Sequence, residues 1–331
     1  MVKKILLVTL IVISLFILKT LYQSGAFKTI NNHSSFNNVQ MYTNLARTED
    51  LDIDRENGLL FISSSDRWNI DSSNDSKDGI YVLDLNDKKN EVTKPIRLST
   101  TLKEAFHPHG ISYLRKGDKG FLFAINHNIK GDFVEVFQFE NGQLTHLKSY
   151  SNKLMCCPND LVAVDVNKFY VTNDHGAAKG FGRLLEEYLH LANSYVLYYD
   201  GDTFSKVLEN INYANGINVS NDGKTVYVTE ASGGKRIFVM DRDIESGELS
   251  ERFAQSLNTG GDNISVDENG DLWIGAHPKL LDFVGHAENS DKLSPSQVLK
   301  LTHSEDNRFE VEEIYLNYGE QISASSVALL F

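Results

Sequence analysis

One short pattern recurs six times along the chain, each time as a pair of mostly polar residues directly before a short run of alternating apolar side chains. The second members of the pairs stand at positions 50, 110, 160, 216, 263 and 326, so the intervals run from 47 to 63 residues. Recurrence of one supersecondary unit at such a period is typical of radial or solenoid arrays. The pairs are Glu49-Asp50, His109-Gly110, Asn159-Asp160, Asn215-Gly216, Asp262-Asn263 and Ser325-Ser326.

Between these pairs the sequence predicts β-structure. Second strands are expected at 59–62, 120–125, 168–171, 225–228 and 271–274, and third strands at 80–84, 134–137, 194–198, 236–240 and 297–301. Many short strands bounded by turn residues indicate a sandwich, a barrel or a propeller, and the long period favours the propeller. We therefore predict an all-β, six-bladed β-propeller over residues 45–331, in which the last blade could be incomplete.

The N-terminus has the composition of an export signal. Lys3-Lys4 precede an apolar run from Ile5 to Leu18, which predicts a signal peptide or an uncleaved signal anchor over residues 1–22, followed by a polar tether over 23–44. Positive charge before the apolar run places the main domain across the membrane. We expect an exported protein that is either membrane-anchored by an uncleaved N-terminal segment, or secreted or periplasmic.

Outside the N-terminus, helical spacing of leucines predicts one amphipathic helix over residues 181–193, on the top face of the propeller. It would cap the propeller, or act as a lid or membrane-facing element, so lipid association through the N-terminal segment and this helix is expected. The net charge of −13 argues against a nucleic-acid partner. The two cysteines, Cys156 and Cys157, are adjacent and are predicted to pack rather than to form a disulfide framework.

The polar pairs also supply oxygen atoms for a metal site. A propeller brings the first residues of its inner strands to one central channel, and calcium binds carboxylate, amide and backbone carbonyl oxygens. No Cys and His cluster with zinc spacing occurs, so calcium is favoured over zinc. Any one of these residues could equally be an ordinary turn or bulge residue, and it is the recurrence that favours the metal. The candidate ligands are Glu49, Asp50, Ile111 through its backbone carbonyl, Asn159, Asp160, Asn215, Asp262 and Asn263.

Histidines form the second candidate group. His109 begins an inner strand and His127 ends the next strand, so an antiparallel hairpin could bring their rings together. A histidine pair beside a divalent cation can act as a general base on water, because its pKa lies near neutrality. His175 and His277 also stand at strand ends, where a plain hydrogen-bonding role is the alternative.

Several motifs resemble those of the paraoxonase/arylesterase family, in order and spacing. They are Phe61-Ile62-Ser63-Ser64 and the segments 107–112, 159–164, 172–175, 214–218 and 262–267. The resemblance implies a six-bladed propeller with two calcium ions, and an enzyme that hydrolyses lactones and aryl esters as small-molecule substrates.

The resemblance also implies roles for individual residues. It gives the catalytic calcium to Glu49, Asn159, Asn215, Asp262 and Asn263, and the structural calcium to Asp50, Asp160 and the carbonyl of Ile111. His109 and His127 take the places of the family's histidine dyad. Asp262 could alternatively act as a nucleophile, although attack by water is preferred for lactones.

Some features depart from the family pattern. Asn38 stands where vertebrate members have the first cysteine of a ring-closing disulfide, and no late cysteine occurs. Asp66-Arg67-Trp68 replaces a more apolar stretch at the substrate rim. Two alternatives remain: a calcium propeller like gluconolactonase or strictosidine synthase, which generally lacks the histidine pair, and a non-catalytic propeller that binds a partner.

Overall fold

The computed structural model describes residues 1–42, 45, 47–66, 77–87, 94–189 and 191–331. It begins with helix α1 (Val2–Gln23), which buries none of its side chains and is long and apolar enough to cross a membrane. The amides of Gly25 and Ala26 donate to the carbonyls of Tyr22 and Leu21, each at 3.1 Å. With Gly25 at a φ of +76°, these bonds form a Schellman motif that ends the helix.

Five sheets follow, each with four consecutive antiparallel strands, and we call them blades 1 to 5. After β1 (His33–Ser34), blade 1 contains β2 (Thr48–Asp54), β3 (Leu59–Ser64), β4 (Gly79–Asp84) and β5 (Ile96–Arg97). After β6 (Ser99–Thr100), blade 2 contains β7 (Pro108–Lys116), β8 (Lys119–Asn128), β9 (Gly131–Glu140) and β10 (Gln143–Tyr150). Blade 3 contains β11 (Pro158–Asp165), β12 (Lys168–Asn173), then helix α2 (Phe181–Leu189), β13 (Ser194–Tyr199) and β14 (Phe204–Ile211).

Blade 4 contains β15 (Ala214–Val219), β16 (Thr225–Glu230), β17 (Arg236–Arg242) and β18 (Leu249–Ser256). Blade 5 contains β19 (Gly260–Val266), β20 (Leu272–His277), then helix α3 (Leu280–Glu288), β21 (Ser296–His303) and β22 (Phe309–Asn317). Two short strands extend the outer edges: β6 pairs in parallel with β10, and β1 pairs antiparallel with β22. The architecture is that of an all-β propeller, as the sequence predicts.

Adjacent blades are held together by apolar side chains between their faces. Between blades 2 and 3, Phe123, Ile125, Phe169 and Val171 are fully buried in one cluster. Equivalent clusters lie between blades 1 and 2, between blades 3 and 4, and between blades 4 and 5. Each fully buried large side chain contributes about 1.5–3 kcal/mol. Contacts between blades therefore fix where the inner strands begin.

The prediction of six blades is wrong for the described residues, which form five. The sixth polar pair, Ser325-Ser326, begins no paired strand. Its segment lies instead between the inner strands of blades 5 and 1. The amide of Asn263 donates to the carbonyl of Ser326 at 2.9 Å, and the Ser326 hydroxyl donates to the carbonyl of Glu49 at 2.5 Å. The segment thus makes one hydrogen bond to blade 5 and one to blade 1 and pairs with no hairpin strand. The described residues therefore form no sixth sheet.

The segment after α1 contacts the propeller. The amide of Leu280 donates to the carbonyl of Ser24 at 2.8 Å, and Ile30 is buried. A Cβ on Gly25 would lie 2.1 Å from the carbonyl oxygen of Pro278, so this close approach requires glycine. The sequence assigns residues 24–34 to the tether, but they lie against blade 5, where β1 pairs with its outer strand β22.

Both helices outside the N-terminus differ from the sequence prediction. Helix α2 begins at Phe181 as predicted but ends at Leu189, short of residue 193. Helix α3 was not predicted, and Gly285 in its interior weakens its sequence signal. Cys156 and Cys157 are free and pack near the cluster between blades 2 and 3, in line with the packing role. Arg67 and Trp68 of the predicted rim lie outside the described residues.

Candidate active site

A cavity of about 330 Å³ lies where the inner strands of the blades begin. Each blade contributes the first residue of its polar pair to the lining: Glu49 from β2, His109 from β7, Asn159 from β11, Asn215 from β15 and Asp262 from β19. All five come from the recurring polar pairs. The structure therefore brings together residues that are more than 200 positions apart in the chain.

A β-bulge in each inner strand turns these residues toward the cavity. The pairing register shifts between Thr48 and Leu51, and the same irregularity spans the polar pair in β7, β11, β15 and β19. A bulge leaves the extra residue outside the ladder and re-aims its side chain. The bulge interpretation and the metal-ligand interpretation are thus compatible, since the bulge is what presents the ligand.

Two of the bulges contain glycine because the neighbouring blade is too close for a side chain. A Cβ on Gly110 would lie 2.7 Å from the carbonyl oxygen of Asn159, and a Cβ on Gly216 would lie 2.4 Å from that of Asp262. Contacts under 3.0 Å require something to shift. The glycines therefore allow the polar residues of adjacent blades to approach one another.

Three asparagines offer oxygen atoms to the centre of the site. The Oδ1 atoms of Asn159, Asn215 and Asn263 are buried and accept no hydrogen bond from any described residue. Buried polar atoms usually have partners, so three such oxygens beside two carboxylates fit a hard cation that prefers oxygen. Within the described ranges, no group of three or more His, Cys, Asp or Glu side chains could hold a metal ion, so the candidate set depends on these amides.

The two carboxylates of the set are held by histidines. Glu49 Oε1 lies 3.1 Å from His109 Nε2 and 3.3 Å from Asn263 Nδ2, which donates to it. Asp262 Oδ2 lies 2.8 Å from Nε2 of His277, whose ring is buried and stacks on Phe283 at 3.9 Å between centroids. His277 is therefore part of the site, where the sequence left a plain hydrogen-bonding role open.

His109 and His127 are in contact. His109 Nδ1 lies 2.7 Å from His127 Nε2, and His127 Nδ1 lies 2.7 Å from Oδ1 of Asp132. Because a carboxylate only accepts, His127 carries its proton on Nδ1 and accepts on Nε2. His109 then donates from Nδ1. In that neutral form its Nε2 lone pair would face the Glu49 carboxylate at 3.1 Å, which is favourable only when a cation binds Glu49; without a cation, Nε2 is expected to carry a proton and donate to Glu49. The sequence placed the two rings together but did not single out Asp132.

Asp50 and Asp160 form a second, deeper group. Asp50 accepts from the amides of Leu51 at 2.8 Å and Ile111 at 2.7 Å. Asp160 accepts from the amides of Leu161 at 2.7 Å and Ile217 at 2.8 Å. Each carboxylate thus joins its own strand to the inner strand of the next blade.

Burial is the largest cause that raises the pKa of both carboxyl groups well above the usual range. The negative charges of Asp160 and Glu49 raise the pKa of Asp50 further, and the charges of Glu49 and Asp262 act on Asp160 in the same direction. Two buried carboxylates that repel each other favour a bound cation between or beside them.

Comparison with known proteins identifies the family. A sequence profile described as Arylesterase matches residues 37–331. The chain belongs to the arylesterase family. It is 37% identical over 291 residues to serum paraoxonase/arylesterase 1 of Homo sapiens. The aligned region covers 86% of this chain and 81% of the human protein. It is 33% identical over 291 residues to serum paraoxonase/lactonase 3 of Oryctolagus cuniculus, with 86% and 80% covered.

The fold of this arylesterase-family chain is also similar to that of the periplasmic gluconolactonase of Pseudomonas aeruginosa. That structure aligns with a TM-score of 0.50 at 14% identity and covers 86% of this chain and 75% of the gluconolactonase. The likeness supports the propeller fold. Family membership supports a hydrolase, in agreement with the resemblance found from the sequence motifs.

Both short helices of this arylesterase-family chain lie over the cavity. Arg183 of α2 lines it, as do Phe283 and His286 of α3. Arg183 lies 3.7 Å from Asp174, a further lining residue that accepts from His175 at 2.6 Å. Burial would raise the pKa of Asp174, but the bond with His175 and the charge of Arg183 outweigh it and lower that pKa. From the motif at 172–175 the sequence analysis singled out His175 rather than Asp174. It predicted a helix over 181–193 as a cap or lid but did not single out Arg183, and it did not predict α3.

Asp160→Ala is expected to lower the stability of the protein more than its activity per folded molecule. The change leaves the buried amides of Leu161 and Ile217 without their acceptor, at about 1–3 kcal/mol for each unsatisfied group. Thermal unfolding with calcium present, alongside the rate per folded molecule, measures both effects. Asp165→Ala is the matched control, because Asp165 ends the same strand at the surface. A normal melting temperature with a lost rate would instead place Asp160 at the catalytic ion.

Proposed function

We propose that this protein is a calcium-dependent hydrolase of lactones and aryl esters. The observation that carries the proposal is the cavity lined by the buried amides of Asn159 and Asn215, two carboxylates and the ring of His109, with the buried amide of Asn263 bonded to Glu49 beside it. Membership of the arylesterase family supports the same reaction class, because relatives bear the names arylesterase and lactonase. Regular placement of one such residue on each blade supports a site built for a ligand rather than a chance cluster.

Glu49, Asn159, Asn215, Asp262 and Asn263 would hold the catalytic calcium ion. When bound, the ion supplies a Lewis acid that polarises the substrate carbonyl and stabilises negative charge on its oxygen. Asp50, Asp160 and the carbonyl of Ile111 would hold a structural calcium ion. This division between two ions is based on where the residues lie. The first group includes residues that line the cavity, whereas the carboxylates of the second group accept hydrogen bonds from the next blade.

His109 would act as the general base. With Glu49 bound to the cation, the lone pair of His109 Nε2 would be free to take a proton from a water molecule as the water oxygen bonds to the carbonyl carbon. The carbon–oxygen bond to the alcohol then breaks and the proton passes to the leaving oxygen, so a lactone gives a hydroxy acid and an aryl ester gives an acid and a phenol. His127 stabilises the protonated ring of His109 through the 2.7 Å bond, and Asp132 orients His127.

Asp262 is better suited to bind the cation than to attack the substrate. One of its carboxylate oxygens is 2.8 Å from His277 Nε2, which holds the group in place and lowers its freedom to move toward a carbonyl. The His109–His127–Asp132 chain also argues against a non-catalytic binding propeller, which has no need for an oriented lone pair in its channel.

Helix α1 would serve as a signal anchor or signal peptide, with the propeller in an exported compartment. The exposed apolar side chains of Phe181, Leu184 and Leu189 on α2 support lipid contact beside the cavity. The small-molecule substrate would then reach the site from the side of the membrane.

A substrate panel tests the proposed function. The full chain, loaded with calcium, is assayed against γ- and δ-lactones, phenyl acetate and a phosphotriester, and acid release is followed by pH indicator. Hydrolysis of at least one lactone or aryl ester is expected, at a rate that falls to background when calcium is chelated. Folded, calcium-bound protein that hydrolyses none of these esters would contradict the proposal.

A further inference from the structure

A second cavity, of about 350 Å³, lies where α1 ends against blade 4. It is separate from the candidate active site, since the two cavities share no lining residue. Its walls come from the end of α1 and the segment after it, from the loop between β16 and β17, and from the end of β18. The residues that matter for the argument are Tyr22, Lys28, Gly233, Gly234, Lys235 and Asn258.

The cavity is positively charged although the protein is acidic overall. Lys28 and Lys235 line it, and none of the described Asp or Glu residues does. An adjoining cavity of about 290 Å³ shares Gly233 and Gly234 and adds Lys19, again without an acidic lining residue. The carboxylate of Glu230 lies beside Gly234 and is ion-paired with Arg236 at 2.8 Å.

Lys235 is the decisive residue. Only 6% of it is exposed, and in the described part of the chain it has no ion pair and no side-chain hydrogen bond. Lysine is almost never so buried unless it is paired. Burial, with a smaller effect from the charge of Lys28, lowers the pKa of Lys235 to about 8. A buried cation that lines a cavity and lacks a counter-ion indicates a place for an anion.

The other lining groups fit an anion as well. The Lys28 ammonium donates to the carbonyl of Asn258, and Glu313 is the acidic residue whose charge reaches it. The amides of Gly233 and Gly234 donate to no described residue. Unpaired backbone amides in a glycine turn are a common partner of phosphate oxygens. At the end of α1, the carbonyls of Thr20, Leu21 and Tyr22 accept from the amides of Ser24, Ala26 and Gly25.

The position of the cavity points to the source of that anion. Helix α1 has 22 residues, about 33 Å at 1.5 Å per residue, which matches the roughly 30 Å hydrocarbon core of a bilayer. Tyr22, at its end, is a residue type enriched at the membrane interface. The cavity therefore lies at the level of the lipid headgroups if α1 spans the membrane.

We propose that this cavity binds a phosphate ester, with Lys28 and Lys235 as its cationic partners. The phosphate comes from an anionic phospholipid headgroup or from a soluble phosphate ester, and the two sources share the same chemistry. The inference does not depend on the hydrolase reaction. A bound headgroup would fix the rotation of the propeller about the membrane normal and hold the side that carries α2 toward the lipid.

The lipid arm uses the full chain, calcium-loaded, in uncharged maltoside detergent with equimolar dioleoyl phosphatidylglycerol and phosphatidylcholine. Native mass spectrometry counts the lipids retained. The wild type is expected to retain one phosphatidylglycerol, and Lys28→Gln/Lys235→Gln to bind it at least about tenfold more weakly, since each charged contact is worth more than a neutral one. Lys119→Gln/Lys168→Gln removes the same charge from the other end of the blades and should behave as wild type.

The soluble arm titrates methyl phosphate by calorimetry in the absence of lipid. If the wild type binds methyl phosphate and Lys28→Gln/Lys235→Gln does not, the ligand is a soluble phosphate ester. If the wild type retains phosphatidylglycerol but does not bind methyl phosphate, the ligand is the lipid. Lys28→Gln alone should weaken binding and Lys235→Arg should preserve it, and these two keep the test valid if the double variant fails to fold. Equal binding by wild type and Lys28→Gln/Lys235→Gln, or equal loss in the Lys119→Gln/Lys168→Gln control, overturns the proposal.

Discussion

His109→Gln is expected to lower kcat for lactone hydrolysis by about 10²–10⁴-fold, the range for removal of a general base. Glutamine is close to histidine in size and can still bond to His127, so the cavity and its oxygen donors should stay in place. The substitution removes the Nε2 lone pair beside Glu49. Steady-state kinetics with a γ-lactone, together with calcium titration of the variant, separates loss of the base from loss of the cation.

His303→Gln is the matched control for this variant. His303 is exposed at the end of β21, remote from the cavity, so its replacement should leave kcat unchanged. Asp132→Asn provides a further check, because it weakens the orientation of His127 without touching the cavity and should shift the pH profile of kcat with a smaller loss of rate. Unchanged hydrolysis by His109→Gln would remove His109 from the mechanism and leave Asp262 as the residue to test.

The blades could be predicted because each strand has a local signal. The second strands predicted from β-branched and aromatic runs are confirmed as β3, β8, β12, β16 and β20, and the third strands as β4, β9, β13, β17 and β21. Short runs of β-branched and aromatic residues between turn residues carry this signal in their own sequence. The number of blades has no such local signal. Ser325-Ser326 has the same local pattern as the other pairs but has no partner strand among the described residues.

The site was predictable where it repeats and not where it depends on packing. Glu49, His109, Asn159, Asn215 and Asp262 share one position in the repeat, so their meeting in the channel follows from the fold. The residues that surround them come from elements placed by tertiary contacts: Asp132 from the hairpin partner of β8, Arg183 from α2, and Phe283 and His286 from α3. Helical spacing predicted α2 on the top face but did not single out Arg183, no motif linked Asp132 to the channel, and α3 itself was missed.

Removal of calcium is expected to abolish hydrolysis and to lower the melting temperature. The loss of activity follows if the cation polarises the carbonyl. The loss of stability follows from Asp50 and Asp160, because two buried carboxylates repel each other when no cation lies between them. Anything that binds the folded form alone, at a free concentration c, adds RT ln(1 + c/Kd) to its stability, so the melting temperature should also rise with the logarithm of the added calcium concentration.

The size of this stability loss should depend on pH. In the cation-free protein, burial first and neighbouring charges second hold the pKa of Asp50 and of Asp160 well above the usual value of 3.8. The folded state then binds protons more readily than the unfolded state, so the contribution of these groups is full below about pH 4 and is lost as the pH rises through the raised values. Cation-free protein should therefore become less stable from mildly acidic to alkaline pH.

Calcium reverses this dependence, because it replaces the protons on the same carboxyl groups and binds more tightly as they ionise. The difference in melting temperature between calcium-loaded and chelator-treated protein should thus widen from about pH 5 to about pH 8. Asp160→Asn removes one of the two repelling charges and should flatten the slope of the cation-free protein, whereas Asp165→Asn, at the surface end of the same strand, should not. A difference that stays constant across this range, or that narrows with rising pH, would mean that Asp50 and Asp160 do not hold a cation, and the second ion would have to be placed elsewhere in the channel.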